Sequence, residues 1–114
     1  MKQTTGLRDL IKKPGALLIP GAFDALSAKL IEDAGFDGVY MSGGQTSCFF
    51  TGWADIGLIT GTEMVENLRL MVNRVNIPVI GDADTGYGNA LNMRKTTQEY
   101  IRTGAAAMHI EDQT

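Results

Sequence analysis

The fold of this chain is decided by the stretch TGTEMVENLRLMVNRVNIPVI at residues 60–80. Its apolar residues are spaced four, three and four apart, which is typical of an amphipathic helix: Met64, Leu68, Met71 and Val75. Thr60 and Glu63 have the T-x-x-E form of a capping box, which marks the start of that helix. Pro78 cannot lie inside a helix, and Val79-Ile80 follow as a short apolar strand. The stretch predicts a helix followed by a strand.

The same helix-then-strand pattern lies on the N-terminal side. A helical stripe stops at Gly35, a candidate left-handed cap, and precedes the strand candidate Val39-Tyr40-Met41. The stripe comprises Phe23, Leu26, Leu30 and Ala34. A short helix around Leu7, Leu10 and Ile11 and a first strand, Leu17-Leu18-Ile19, come before it.

The pattern also recurs on the C-terminal side. A third stripe follows the candidate N-cap Asn89 and stops at Gly104, before a strand over 105–110. It comprises Met93, Thr97, Tyr100 and Ile101. The predicted order is α-β-α-β-α-β-α-β, within one domain, and such alternation is typical of a parallel sheet covered by helices.

A parallel βα series has two common solutions, an open doubly wound sheet and a closed eight-stranded barrel. Four strands suit the open sheet as they stand, because a barrel needs about 250 residues. The chain also stops at Glu111-Asp112-Gln113-Thr114, directly after its fourth strand. We therefore expect an interrupted protein.

Composition excludes several classes of protein. The chain has 114 residues, 10 Lys+Arg against 13 Asp+Glu, and a net charge of −3, so it lacks the basic clusters that bind nucleic acid or anionic membranes. No apolar stretch approaches the roughly 20 residues of a membrane span, and no signal peptide is evident. We expect a cytoplasmic protein, and the single cysteine, Cys48, fits that compartment.

Acidic residues follow the third and fourth predicted strands. Asp82 and Asp84 are two apart, so in an extended segment their carboxylates point to the same side. A Mg²⁺ or Mn²⁺ ion would relieve their repulsion, although Asp-x-Asp before Thr-Gly-Tyr-Gly-Asn is also typical of a turn or helix cap. Glu111 lies at the matching height on the fourth strand and favours a metal site.

Other candidates surround this edge of the predicted sheet. Ser42-Gly43-Gly44 offers backbone N–H groups to a carboxylate or phosphate, although an ordinary turn has the same sequence. Asp55 lies in a long connection, 45–61, of the length typical of functional loops. Tyr40 lies on the same strand face as Ser42 and lines either a pocket or the core.

Three other features have structural interpretations. His109 is interpreted as a buried, hydrogen-bonded side chain, with a role behind the metal ligands as the alternative. Cys48 is interpreted as an inert thiol. Gly86-Tyr87-Gly88 does not match a dinucleotide-binding fingerprint.

Four motifs follow one another along the chain: PGAFDA at 20–25 with SA at 27–28, YMSGG at 40–44, DADTGYGN at 82–89 and GAAAMHIEDQ at 104–113. In order and spacing they resemble the isocitrate lyase/phosphoenolpyruvate mutase superfamily. The resemblance implies a Mg²⁺-dependent α/β fold of the (β/α)8 TIM-barrel type, of which residues 1–114 would be the N-terminal half, about the first four βα units. It also implies a homo-oligomer, usually a tetramer that exchanges a C-terminal helix.

The resemblance assigns roles by motif position. Asp82 and Asp84 correspond to metal ligands, and Asp55 and Glu111 to catalytic acids that reach the metal through water. Ser42, Gly43 and Gly44 correspond to the residues that hold the substrate carboxylate, here called the cradle. The small carboxylate substrate would contact this cradle and Asp82, with Tyr40 lining the pocket.

The Ser-Gly-Gly sequence favours the 2-methylisocitrate lyase branch. That branch implies retro-aldol cleavage of a 2-hydroxy di- or tricarboxylate to an α-keto acid and succinate, with a cysteine from a Lys-Cys-Gly-His-like loop beyond the fourth strand as the acid. Phosphoenolpyruvate or carboxyphosphonoenolpyruvate mutase and oxaloacetate hydrolase or decarboxylase activity are the enzymatic alternatives. A non-catalytic half-barrel module that pairs with itself is the alternative from another class. We expect the 114-residue chain alone to have no lyase turnover and at most weak Mg²⁺ binding.

Overall fold

The computed structural model describes residues 2–113 and contains a four-stranded sheet with five helices. The elements are α1 (Gln3–Lys12), β1 (Gly21–Ala22), α2 (Ala25–Asp33), β2 (Val39–Met41), α3 (Gly43–Thr51), α4 (Gly61–Arg74), β3 (Val79–Asp82), α5 (Ala90–Thr103) and β4 (Ala107–His109). None of these helices is both long enough and apolar enough to cross a bilayer.

The sheet is parallel, and its spatial order, β1-β2-β3-β4, is the order of the chain. A doubly wound sheet reverses its strand order at a switch point, whereas a barrel adds each strand beside the preceding one. The α/β prediction of the barrel type is therefore confirmed, and the carboxyl ends of all four strands lie at one edge.

The core lies between the sheet and the helices that cover it. Met64, Leu68 and Met71 of α4 are fully buried, as their spacing predicted. Helix α4 lies very close to β3, because a Cβ at Gly81 would be 2.8 Å from Leu68 Cδ2 and 3.0 Å from Tyr100 Cε2. Only a glycine at this position allows α4 and α5 to pack so closely on the sheet.

The predicted helix boundaries are confirmed where a cap marks them. The Thr60 hydroxyl accepts from the Glu63 N–H, and the Glu63 carboxylate accepts from the Thr60 N–H. The Asn89 side chain accepts from the N–H groups of Leu91 and Asn92. Gly104 ends α5 with φ of 83°, the left-handed region that glycine adopts without strain.

The first strand lies later in the sequence than predicted. The structure pairs Gly21–Ala22 with β2, and not Leu17-Leu18-Ile19. The Tyr40 N–H donates to Pro20 O and the Ser42 N–H to Ala22 O, whereas the Val39 N–H donates away from β1, to Pro78 O. The register of β2 thus leaves 17–19 without a partner strand, and Leu18 is exposed.

Two predictions about the helices were wrong. The connection 45–61 is not all loop, since α3 begins at Gly43 and occupies its first part. Helix α2 buries Ala28 and half-buries Ile31, while Leu26 and Leu30 of the predicted stripe are exposed. Ile101 of α5 is likewise exposed. These leucines and Ile101 lie on helix faces that no described element covers.

Candidate metal centre

Three carboxylates converge at the carboxyl ends of β3 and β4. Asp82, Asp84 and Glu111 each offer an oxygen, and these oxygens all lie within 4.8 Å of one another. The Ala83 N–H donates to His109 O at 2.9 Å, and the Glu111 N–H donates to Asp84 O at 2.8 Å. These backbone bonds hold the two segments at the same height, as predicted from the strand ends.

Asp82 is the most tightly held of the three. Its Oδ2 accepts from the Gly43 N–H and its Oδ1 from the Asp84 N–H, both at 3.0 Å. The Tyr100 hydroxyl donates to the Asp82 backbone oxygen at 2.7 Å. Because Gly43 begins α3, the side chain of Asp82 lies at the positive end of the helix dipole. Asp82 is thus a buried side chain held in a fixed position.

Asp84 lies in a concentration of negative charge. Its pKa is raised, chiefly by burial and then by the charges of Asp82, Asp55 and Glu111. Within residues 2–113, the ion pairs of the structure include none of these four acids. A divalent cation would offset their repulsion.

The space around the acids also fits a cation. A Cβ at Gly43 would lie 2.6 Å from Asp82 Oδ2 and 3.2 Å from Asp84 Oδ1. The absence of that side chain keeps open the space beside both oxygens. An all-oxygen donor set suits a hard cation such as Mg²⁺ or Mn²⁺.

The Ser42-Gly43-Gly44 segment forms the first turn of α3. The Ser42 hydroxyl caps that helix by accepting from the Gln45 N–H, and the Gly43 N–H already binds Asp82. A Cβ at Gly44 would lie 2.9 Å from Asp55 Oδ2. The structure therefore brings Asp55 beside the cradle, on an exposed segment.

Tyr40 and His109 meet at the same edge. The Tyr40 hydroxyl and His109 Nδ1 are hydrogen bonded at 2.9 Å. Burial, followed by the charge of Asp82, raises the pKa of Tyr40, so the phenol lies beside the acids. The prediction that His109 is buried was wrong: it is exposed because β4 is an edge strand of the sheet.

Two functional details escaped the sequence reasoning. Asp24 follows β1 but serves as the N-cap of α2, accepting from the Ser27 N–H at 2.7 Å. The D-x-x-S spacing was the available signal.

The second is Asn67, which is buried and donates to Phe23 O at 2.8 Å and to Thr46 Oγ1 at 3.2 Å. It ties α4 to α3 and to the end of β1, and its signal was a polar residue beside Leu68 in an otherwise apolar stripe.

Comparison with known sequences identifies a matching family and several enzymes that this chain resembles. A sequence model of the phosphoenolpyruvate phosphomutase family matches residues 7–114. The chain is 43% identical over 113 residues to 2,3-dimethylmalate lyase of Eubacterium barkeri, covering 99% of the chain and 39% of that enzyme. It is 46% identical over 108 residues to isocitrate lyase of Haloferax volcanii, covering 95% of the chain and 31% of that enzyme. For 2-methylisocitrate lyase of Halalkalibacterium halodurans, the identity is 41% over 106 residues, with 93% and 35% covered.

Solved structures resemble the whole described fold. Oxaloacetate acetylhydrolase superposes with a TM-score of 0.93 at 33% identity, covering 99% of this chain and 41% of that one. Phosphonopyruvate hydrolase in complex with oxalate and Mg²⁺ also has a TM-score of 0.93 at 33% identity, with 100% and 40% covered. The chain thus spans less than half the length of these proteins.

Proposed function

Because this chain belongs to the phosphoenolpyruvate phosphomutase family, we propose that it supplies the metal-binding strands of a Mg²⁺-dependent carbon–carbon lyase. The proposed reaction is retro-aldol cleavage of a 2-hydroxy di- or tricarboxylate resembling 2-methylisocitrate, which yields an α-keto acid and succinate. The observation that carries the proposal is the convergence of Asp82, Asp84 and Glu111 oxygens within 4.8 Å. The similarity to three lyases supports the reaction class.

In this proposal the acids divide into two groups. Asp82 and Asp84 hold Mg²⁺, or Mn²⁺ in its place, while Glu111 and Asp55 act through water as catalytic acids. A bound Mg²⁺ would supply Lewis-acid stabilisation of the negative charge that develops on substrate oxygens. The buried Asp82, fixed by two N–H donors, sets the position of the site relative to α3.

The substrate-binding residues are those at the carboxyl end of β2. Ser42, Gly43 and Gly44 lie at the first turn of α3, where backbone N–H groups and the helix dipole favour an anion. A substrate carboxylate would approach Gly44, since the Gly43 N–H is engaged by Asp82. Tyr40 lines the same pocket. The proposal also includes a homo-oligomer.

Cleavage requires a proton to leave the 2-hydroxyl and another to reach the departing carbanion. As the carbon–carbon bond breaks, its electron pair passes to the succinate fragment, which takes up that second proton. We propose that the acid comes from outside these four strands, as the family resemblance implies. Cys48 lies exposed on α3 and has no role in this proposal. Turnover would then depend on more than residues 1–114.

A second candidate is hydrolytic cleavage of an oxaloacetate-like substrate. The observation in its favour is the TM-score of 0.93 with oxaloacetate acetylhydrolase, above the 0.89 of 2,3-dimethylmalate lyase. Phosphoenolpyruvate or carboxyphosphonoenolpyruvate mutase activity is the remaining enzymatic alternative, in keeping with the name of the family. For all three reactions we propose a small carboxylate and a divalent cation at one site, since the structure of phosphonopyruvate hydrolase contains oxalate and Mg²⁺.

Calorimetric titration of the chain with Mg²⁺ in the presence of oxalate tests the common premise. We expect weak but saturable binding that Asp82→Asn abolishes, because the buried carboxylate would no longer offer its charge. Asp9→Asn is the matched control: Asp9 is exposed on α1, and its replacement should leave binding unchanged. Equal binding by the Asp82→Asn variant would contradict the proposal.

A further inference from the structure

The hydroxyl of Tyr87 is buried and has no hydrogen-bond partner among the described residues. Tyr87 lies in the loop between β3 and α5, three residues after the proposed ligand Asp84. An unsatisfied buried hydroxyl costs about 1–3 kcal/mol, so native proteins seldom retain one without a reason. This hydroxyl therefore calls for an explanation.

The backbone of Tyr87 is also strained. Its φ is 61°, and Asp84, with φ of 44°, is the other non-glycine residue at positive φ in the described chain. The left-handed region costs an aromatic residue about 1–2 kcal/mol. It persists here because the Gly86 N–H donates to Ala83 O at 2.8 Å and the Thr96 hydroxyl donates to Gly86 O at 2.9 Å.

This conformation turns the Tyr87 ring inward. A Cβ at Gly61, the first residue of α4, would lie only 3.2 Å from Tyr87 Cβ and Cγ. The ring thus packs on the start of α4, where a side chain at position 61 would displace it. With the ring held there, the phenol oxygen is buried and not exposed on the loop.

The carboxylate of Asp84 is the hydrogen-bond acceptor that suits this hydroxyl best. Burial, then Tyr100, then the charge of Asp84 raise the pKa of the Tyr87 phenol, so the phenol lies within electrostatic reach of that carboxylate. The Tyr100 hydroxyl donates to Asp82 O at 2.7 Å and is already engaged. An interaction with the Tyr87 hydroxyl lowers the pKa of Asp84, against the larger effects that raise it, so the phenol lies near this carboxylate. As the side chains stand, the contact does not meet the geometry of a hydrogen bond.

We propose that Tyr87 is a positioning residue for Asp84, whose hydroxyl donates to one carboxylate oxygen while the other oxygen binds a divalent cation. This inference rests on the proposed function, since it assumes that Asp84 is a ligand. Partners behind metal ligands fix the orientation of the ligand and contribute to affinity. The strain and the unsatisfied hydroxyl are then features that favour the cation-loaded arrangement.

Tyr87→Phe, which removes only the oxygen, separates this role from a structural one. We expect the affinity for Mg²⁺, titrated with oxalate present, to fall about tenfold. Without added cation, the urea midpoint of the variant should be unchanged or higher, because a buried, unsatisfied group is lost. Tyr100→Phe is the matched comparison: it removes a hydroxyl that is bonded, so its midpoint should fall.

Nuclear magnetic resonance gives a third readout. We expect Mg²⁺ with oxalate to bring the Tyr87 hydroxyl proton of the wild-type chain into slow exchange with solvent, and Tyr87→Phe to lack that signal. Unchanged Mg²⁺ affinity in Tyr87→Phe, or a loss of stability like that of Tyr100→Phe, would overturn the inference while wild-type binding still supported the proposed function. Failure of the wild-type chain itself to bind would overturn both.

Discussion

Gly43 is the residue on which the geometry of the acid cluster most directly depends. Its N–H donates to Asp82, and the space of its missing side chain lies against the carboxylates of Asp82 and Asp84. Gly43 therefore has two roles: its N–H is a hydrogen-bond donor, and its missing side chain leaves space beside the carboxylates. Only the second role is lost when the residue becomes alanine.

We expect Gly43→Ala to weaken Mg²⁺ binding at least about tenfold, as displaced ligands do. The new Cβ would lie 2.6 Å from Asp82 Oδ2, a contact that the buried carboxylate can relieve only by moving. Helix α3 itself should not be weakened, because alanine favours a helix by about 1 kcal/mol over glycine. Titration calorimetry with oxalate measures the affinity, and circular dichroism the helix content.

Gly38→Ala is the control for this substitution. A Cβ there would meet Pro78 O at 3.4 Å and Ile19 Cδ1 at 3.5 Å, which are ordinary contacts just before the amino-terminal ends of β2 and β3, whereas the acids lie at the carboxyl ends. Mg²⁺ affinity should be that of the wild type. If Gly43→Ala and Gly38→Ala bound Mg²⁺ equally well, the opening at Gly43 would have no role in the site.

Most residues of the candidate site could be identified from the sequence, but their hydrogen-bond partners could not. The i, i+2 spacing of Asp82 and Asp84 and the position of Glu111 after the next strand predicted the observed convergence, although Asp84 lies in a turn with φ of 44° and not in the extended segment that the spacing assumed. The bond from Gly43 to Asp82 joins residues 39 apart in the chain, and no local pattern encodes such a contact. His109 was placed wrongly because its apolar neighbours do not reveal that β4 is at an edge.

At the scale of the elements, Glu32 joins α2 to the turn that leads into β3. Its Oε2 accepts from the backbone N–H groups of Asn76 and Ile77, and its Oε1 binds Lys29. Lys29 and these backbone bonds lower the pKa of Glu32 below its ordinary value of 4.5. The ionised carboxylate is therefore bound more favourably in the folded chain than in the unfolded one.

We expect Glu32→Gln to lower the free energy of unfolding at pH 7 by about 1.5–3 kcal/mol, the usual range for a hydrogen bond to a charged group. Because the folded pKa is depressed, this contribution is fully present above the unfolded pKa and is lost as the pH falls through the folded pKa. The wild type and the variant should thus converge below pH 4.5. Urea unfolding from pH 7 to pH 3 measures the difference.

Asp33→Asn serves as the reference for this pH series. Asp33 also pairs with Lys29, at 2.9 Å, but its side chain is 59% exposed. Exposed pairs contribute about 0.2–1 kcal/mol, so its loss should change stability little at any pH. A pH-independent difference between wild type and Glu32→Gln would show that charge is not the cause.

The elements that the sequence predicted are those with a cap and a buried stripe, as in α4. Helix α3 was missed because its sequence, GGQTSCFFT, is poor in strong helix formers and leaves Phe49 and Phe50 exposed. Its start depends on Ser42 as N-cap, a residue that the sequence equally assigns to a turn. In α2, Leu26 and Leu30 have the right spacing for a buried face. The spacing does not reveal whether another element packs on that face, and none of the described elements does.

At the scale of the whole molecule, the described sheet has two open edges. β1 and β4 each pair on one side only, and exposed apolar side chains lie on the helices and connections next to them in the chain: Leu18, Leu26, Leu30, Ile101 and Ile110. Unpaired edges are templates for pairing with another chain. The βα alternation predicted a parallel sheet but left its strand order open between a doubly wound sheet and a barrel, and the resemblance implied the barrel. The edges could be assigned only once the pairing was known.

We expect the 114-residue chain to self-associate at micromolar concentration, and Ile110→Lys to reduce the association by placing a charge beside the β4 edge. Sedimentation velocity measures the effect. A discrete dimer would support a self-pairing half-barrel module, whereas heterogeneous aggregates would support a part of a larger barrel. Ile11→Lys, on the exposed face of α1, is the control and should leave association unchanged.

The sequential strand order also bears on how the chain is made. Each strand pairs with the one that precedes it in the chain, so no pairing has to wait for a distant segment. During synthesis, which proceeds from the N-terminus at about 5–20 residues per second, every newly emerged strand meets a neighbour that has already left the ribosome. The sheet can therefore grow one unit at a time, and the acid cluster is completed only when Glu111 emerges.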